Sequence, residues 1–142
     1  MADLNAVADY GVKLPAANGK LAVIGFCWGG GKTWEFATAR SDLVVACPFY
    51  GVTPADAAAY AKIPCPVYGF YAGMDERVDA TLDRAKAGMS AAGKTFDLVI
   101  YEGARHAYMR AGEEANADPA NKKGAEESWA RLIPVLTKAG KG

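Results

Sequence analysis

Apolar and polar positions along this chain fall into two alternating periods. Leu4, Val7, Ala8 and Val12 stand at helical spacing and predict a helix over residues 3–14. Pro15 and the Asn18-Gly19 pair end it. Residues 21–26, LAVIGF, form a short apolar run, the pattern of a strand buried on both faces. Gly29-Gly30-Gly31 lead into a helix expected to reach about Arg40. Residues 43–49, LVVACPF, predict a second buried strand, and residues 55–62 a short Ala-rich helix. Pro64 and Pro66 flank the entry to a third strand at 67–71, VYGFY. Residues 79–92 predict a helix whose stripe is Val78, Leu82, Ala85, Met89 and Ala92. Residues 96–101, FDLVIY, predict a fourth strand. The polar stretch 110–124, with Asp118-Pro119 inside it, reads as a loop or a partly helical excursion. A last helix is expected over 125–138, with Trp129, Leu132, Ile133 and Leu136 on its apolar face and a kink at Pro134.

Strands alternating with helices imply an α/β fold, a parallel sheet of about four strands with helices on both faces. With no internal repeat or low-complexity tract, residues 1–142 are expected to form one domain. Sites in such sheets lie beyond the C-terminal ends of the strands. That rule directs attention to residues 27–31, 50–53, 72–77 and 102–110.

Composition narrows the chemistry. Sixteen basic and sixteen acidic residues give no net charge, so no basic surplus exists to neutralise a nucleic acid. No apolar run reaches the ~18 residues of a membrane helix. The N-terminal sequence lacks the basic and apolar regions of a secretory signal. Three cysteines, Cys27, Cys47 and Cys65, without CxxC spacing argue against a disulfide framework or a cysteine zinc site. A single histidine, His106, excludes a multi-histidine metal site. The expected compartment is a reducing cytoplasm, and no cofactor or metal is expected.

Gly25-Phe26-Cys27-Trp28-Gly29 is a G-x-C-x-G sequence between a predicted strand and a predicted helix. It matches a nucleophile elbow with cysteine in place of serine. The sharp turn strains the nucleophile, and glycines at −2 and +2 are expected to relieve clashes. The helix N-terminus favours thiolate, and the Trp28 N–H is placed to donate to an oxyanion. The competing reading is a buried cysteine that only packs. Asp75 follows the third strand and could orient a histidine, while Asp75 or Asp79 could instead cap the next helix. His106 follows the fourth strand. The order nucleophile, Asp, His is that of an α/β-hydrolase. Cys47 and Cys65 are expected to be inert core residues. Arg77 and Arg105 stand near the predicted site and either could bind an acidic substrate, with a solvated surface charge the preferred reading of Arg77.

GFCWGG at 25–30, FYG at 49–51, AGMDERV at 72–78 and EGARHAY at 102–108 resemble the dienelactone hydrolase family, cysteine-nucleophile α/β-hydrolases. The resemblance runs from about residue 3 to 138. It implies ester or lactone hydrolysis without cofactor or metal, with Cys27 as nucleophile, His106 as base and acid, and Asp75 as orienter. It further implies that Arg110 binds a substrate carboxylate and that Tyr50 lines the pocket, with Trp28 beside them. Family members carry further strands and helices before the elbow. Those supply a second oxyanion N–H, a glutamate that controls the cysteine, a second arginine and cover for the sheet edge. The chain therefore resembles the C-terminal half of such a hydrolase, a truncated α/β-hydrolase fold. Strand 21–26 is expected to be an open edge that pairs with another chain, giving a homodimer or an aggregation-prone monomer. The alternative function is a non-catalytic fragment or a partner-dependent module; a redox-sensing thiol is a third reading.

Overall fold

Four parallel strands make the sheet of the computed structural model, which describes residues 1–141. They are β1 (Leu21–Phe26), β2 (Leu43–Phe49), β3 (Val67–Ala72) and β4 (Phe96–Tyr101), lying side by side in chain order. Helices α1 (Ala2–Gly11), α2 (Trp28–Ala39), α3 (Ala57–Ala61), α4 (Glu76–Asp79) and α5 (Leu82–Ala91) alternate with them, and α6 (Tyr108–Ala111) and α7 (Pro119–Lys141) follow.

Strands laid down in order by right-handed crossovers place every crossover helix on the same face. Accordingly Trp34 and Phe36 of α2, Tyr60 of α3, and Ala85 and Met89 of α5 share one core with Leu43, Ala46 and Val67. The opposite face is covered by the helices after β4. Tyr108, Met109, Ala125 and Leu132 pack there on Val45, Cys47, Phe49 and Phe70. The inner strands β2 and β3 are buried almost throughout, as continuous apolar runs require.

β1 departs from expectation. Its burial alternates, Gly25 alone is fully buried, and Ile24 and Phe26 stay 37% and 41% exposed. The strand hydrogen-bonds to β2 only, so one backbone edge has no partner among the described residues. An apolar run predicts burial, but whether a strand is central or at the edge depends on its neighbours. α1 departs likewise, since Ala8 is its one buried residue while Leu4 and Val7 face outward. It is held by Arg40, which pairs with Asp9 at 2.7 Å.

Two further boundaries shift. The helix expected over 79–92 is broken into α4 and α5 at Ala80-Thr81. The Thr81 hydroxyl donates to Val78 O at 2.7 Å, and the Thr81 carbonyl accepts from Thr53 Oγ1 at 2.8 Å. The stripe itself holds, with Val78, Leu82, Ala85 and Met89 buried. The last helix starts earlier, at Pro119, where the Asp118 carboxylate accepts from Ala120 N at 2.9 Å. Proline in the first turn after an Asp is a helix start rather than a loop. The buried stripe of α7 is Asn121, Ala125, Ser128 and Leu132, while Trp129 and Ile133 are exposed. The helix continues through Pro134.

Candidate active site

Cys27 joins β1 to α2 with φ 58° and ψ −120°, a conformation a non-glycine residue rarely adopts. Its N–H donates to Phe49 O at 3.1 Å, and its carbonyl accepts from Gly31 N at 3.2 Å. Both bonds hold the turn and lift the side chain clear of the sheet. A Cβ on Gly25 would lie 2.1 Å from Gly29 O, and one on Gly30 would lie 2.3 Å from Phe49 O. A Cβ on Gly29 meets nothing within 4 Å. The expectation of required glycines at −2 and +2 is thus corrected: Gly25 and Gly30 permit the elbow, because α2 crosses the sheet at those two points.

Three loops converge on Cys27. Strain clusters there too, because Tyr50 after β2 and Ala107 beside His106 also have positive φ, 36° and 65°. His106 Nε2 lies 2.9 Å from Cys27 Sγ, and His106 Nδ1 lies 2.5 Å from Asp75 Oδ2. Asp75 is 8% exposed. It stands at the N-cap of α4, yet its side chain makes no capping bond, so its carboxylate is directed to the imidazole instead. The Asp75 and His106 loops are stitched together by Gly73 N–H donating to Tyr101 O at 2.9 Å and Met74 N–H to Ala104 O at 3.0 Å. The Tyr50 ring meets the His106 ring edge-on, with centroids 5.1 Å apart.

These contacts set the charge states. The hydrogen bond from His106 pulls the Cys27 thiol below the ordinary 9.0; burial opposes this, and the Trp28 N–H and the charges of His106 and Arg77 add to it. Burial alone would depress the His106 imidazole, but its bonds to Asp75 and Cys27 together carry it above the ordinary 6.5. The arrangement favours a thiolate–imidazolium pair. Cys47 and Cys65 behave oppositely, because burial pushes their thiols up to about 12 and about 11. All three cysteines are free.

A cavity of about 560 Å³ opens over Cys27, lined by Trp28, Tyr50, Val52, Pro54 and Arg77 among others. Trp28 is 76% exposed. Lys32 also borders the cavity, but its ammonium is paired with Glu35 at 2.6 Å. Arg77 is the cation whose charge reaches Cys27. Neither Arg110 nor Arg105 lines the cavity; the charge of Arg110 is felt by Tyr50 instead. Arg77 is exposed, in keeping with the solvated charge read from the sequence, and it also lines the cavity, as its place two residues after Asp75 allowed. Among the described residues no group of three or more His, Cys, Asp or Glu stands together as metal ligands. No described helix is long and apolar enough to cross a membrane.

The model of the dienelactone hydrolase family matches residues 1–140. Two proteins each named "Putative carboxymethylenebutenolidase" are similar to the chain. The one from Methylorubrum extorquens is 33% identical over 93% of this chain, the one from Saccharolobus solfataricus 34% over 95%. The chain spans 48% of the length of each. A dienelactone hydrolase-like promiscuous phosphotriesterase, P91, from metagenomic libraries superposes with a TM-score of 0.82 at 21% identity. That match covers 95% of this chain and 59% of that one.

Proposed function

Because this chain belongs to the dienelactone hydrolase family, we propose that it hydrolyses small carboxylic esters or lactones through Cys27, His106 and Asp75. The observation that carries this reading is the hydrogen-bonded row from Cys27 Sγ to His106 Nε2 and from His106 Nδ1 to Asp75 Oδ2, at 2.9 and 2.5 Å. The thiolate of Cys27 attacks the carbonyl carbon, and the carbonyl electrons move to oxygen. The Trp28 N–H donates to that oxyanion. As the tetrahedral centre collapses, the C–O bond breaks and His106 gives its proton to the leaving alkoxide. An acyl-cysteine remains. His106 then takes a proton from water, the resulting hydroxide displaces the thiolate, and the acid leaves. Asp75 holds the imidazole orientation and stabilises the imidazolium.

The substrate class is a small ester or lactone, and Arg77 in the cavity lining is the proposed contact for a substrate carboxylate. The free thiols suit a reducing cytoplasm. The open edge of β1 favours a second reading, a module whose hydrolysis depends on a partner that covers that edge.

The test is sustained hydrolysis of p-nitrophenyl acetate by the purified chain beside Cys27→Ala, which keeps Cys47 and Cys65 as a control for incidental acylation. Many turnovers in the wild type and none in the variant support the mechanism. Equal turnover in both refutes it, and at most one equivalent in both favours the partner-dependent module.

A further inference from the structure

Part of the wall of the cavity over Cys27 is the loop after β2, from which Val52, Thr53 and Pro54 line it. Residues 51–55 belong to no helix or strand, and among the described residues none of them hydrogen-bonds to another backbone group. The near end of the loop is fixed by steric fit, since a Cβ on Gly51 would lie 2.2 Å from the Gly30 carbonyl carbon. Beyond Gly51, side chains hold the backbone. Arg84 of α5 donates from Nη2 to Thr53 O at 2.8 Å and from Nε to Thr53 Oγ1 at 3.2 Å. The Thr53 hydroxyl donates onward to Thr81 O at 2.8 Å, and the Thr53 N–H donates to Thr81 Oγ1 at 3.3 Å. Tyr60 Oη donates to Pro54 O at 2.7 Å. Every polar group of Thr53 is thereby bonded, and both Thr53 and Thr81 are buried. Arg84 pairs with no carboxylate among the described residues. Its guanidinium is directed to one neutral residue of the cavity wall instead.

We propose that Arg84 and Thr81 are positioning residues that set which esters reach Cys27: through Thr53 they hold loop 51–55 as a fixed wall on which an apolar group of the substrate, aryl or branched alkyl, packs. The inference rests on Cys27 as the reacting thiol of the proposed hydrolase and adds how its substrate is selected. Thr81 lies at the junction of α4 and α5, and α4 carries Arg77, which lines the same cavity. One network therefore fixes the apolar wall, Val52 and Pro54, relative to the cation. A substrate finds that wall already in place. Without the network the substrate itself has to order the loop, and ordering costs affinity. Neither Arg84 nor Thr81 lines the cavity, and the side-chain hydrogen bonds of Cys27 and Asp75 run to His106. The reactivity of the thiol is thus separate from the shape of the wall.

The experiment alkylates Cys27 in the purified chain with iodoacetamide and, separately, with N-benzyl chloroacetamide, and follows the labelled peptide by mass spectrometry. Iodoacetamide reads the thiol alone, and the benzyl group reads the wall. In the wild type the rate with the benzyl reagent should saturate and give an inhibition constant KI and a maximal rate. Arg84→Met and Thr81→Val should each raise KI by about 10-fold, the cost of ordering the loop on binding. The maximal rate and the iodoacetamide rate should not change. Thr81→Ser keeps the hydroxyl and should keep the wild-type KI. An unchanged KI in Arg84→Met or in Thr81→Val overturns the proposal, as does a Thr81→Ser that behaves like Thr81→Val. A parallel fall in the iodoacetamide rate overturns it too, because it marks damage to the fold around Cys27. So does a wild type that shows no saturation. Arg84 is exposed, so Arg84→Met decides the matter should Thr81→Val fail to fold. Because no hydrolysis is measured, loss of the esterase reading and loss of this one are separate outcomes.

Discussion

A methyl group on residue 25 would sit 2.1 Å from the Gly29 carbonyl oxygen, 2.4 Å from its carbonyl carbon and 2.6 Å from Thr33 Oγ1. Two of those atoms are backbone, so no side-chain rotation relieves the clash. Reaching even the 3.0 Å lower limit of real contacts requires β1 and the first turn of α2 to part by about 0.9 Å. Overpacking of this kind costs about 3 kcal/mol. At an m-value of about 2 kcal/mol/M in urea, the unfolding midpoint of Gly25→Ala should fall by about 1.5 M. The same displacement moves Cys27 relative to His106, and a misplacement of about 1 Å costs about 100-fold in rate. Gly29→Ala is the companion, because its Cβ meets nothing within 4 Å and the position lies inside α2. It should be neutral or stabilise by up to about 1 kcal/mol through helix propensity. The assays are urea unfolding followed by far-UV circular dichroism and p-nitrophenyl acetate turnover. Wild-type midpoint and turnover in Gly25→Ala, or equal damage from the two substitutions, would refute the close approach of α2 to β1 as the reason for glycine.

Other predictions are quicker to check. Cys27 carries a thiol lowered by its bond to His106, so it should be alkylated by iodoacetamide well below pH 9, with Cys47 and Cys65 unmodified in the folded protein; mass spectrometry of the labelled peptides reads this directly. Lowering pH through the depressed Cys27 value should slow that labelling, and His106→Ala should return the onset toward the ordinary thiol range. Arg77→Met should reduce kcat/KM for a carboxylate-bearing ester by about 10-fold relative to a neutral one, since hydrogen bonds to a charged group contribute about 1.5–3 kcal/mol. The open β1 edge, with Ile24 and Phe26 exposed, should pair two copies of the chain. A monomer by light scattering at high concentration, unaltered by Ile24→Lys, would count against pairing.

Local pattern was sufficient for the strands and for the order of the chemistry. The four apolar runs became β1 to β4 within a residue of their expected ends. Strand–helix alternation set a parallel sheet with its loops at one end, because parallel strands need a crossover that helices supply. Cys27, Asp75 and His106 were each legible as residues following a strand, since that position depends on a short stretch of chain. Three-dimensional packing decided the rest. The run LAVIGF looks the same whether its strand is central or at an edge, and only its lack of a second neighbour left Ile24 and Phe26 exposed. Which glycine of the elbow is required depended on where α2 crosses β1 and β2, a contact between segments that no spacing encodes. Which cation borders the cavity over Cys27 depended likewise on where α4 carries Arg77, a matter of packing rather than of sequence spacing. Asp79 reads in sequence as a possible cap, and only packing leaves its Oδ1 buried without a hydrogen-bond partner.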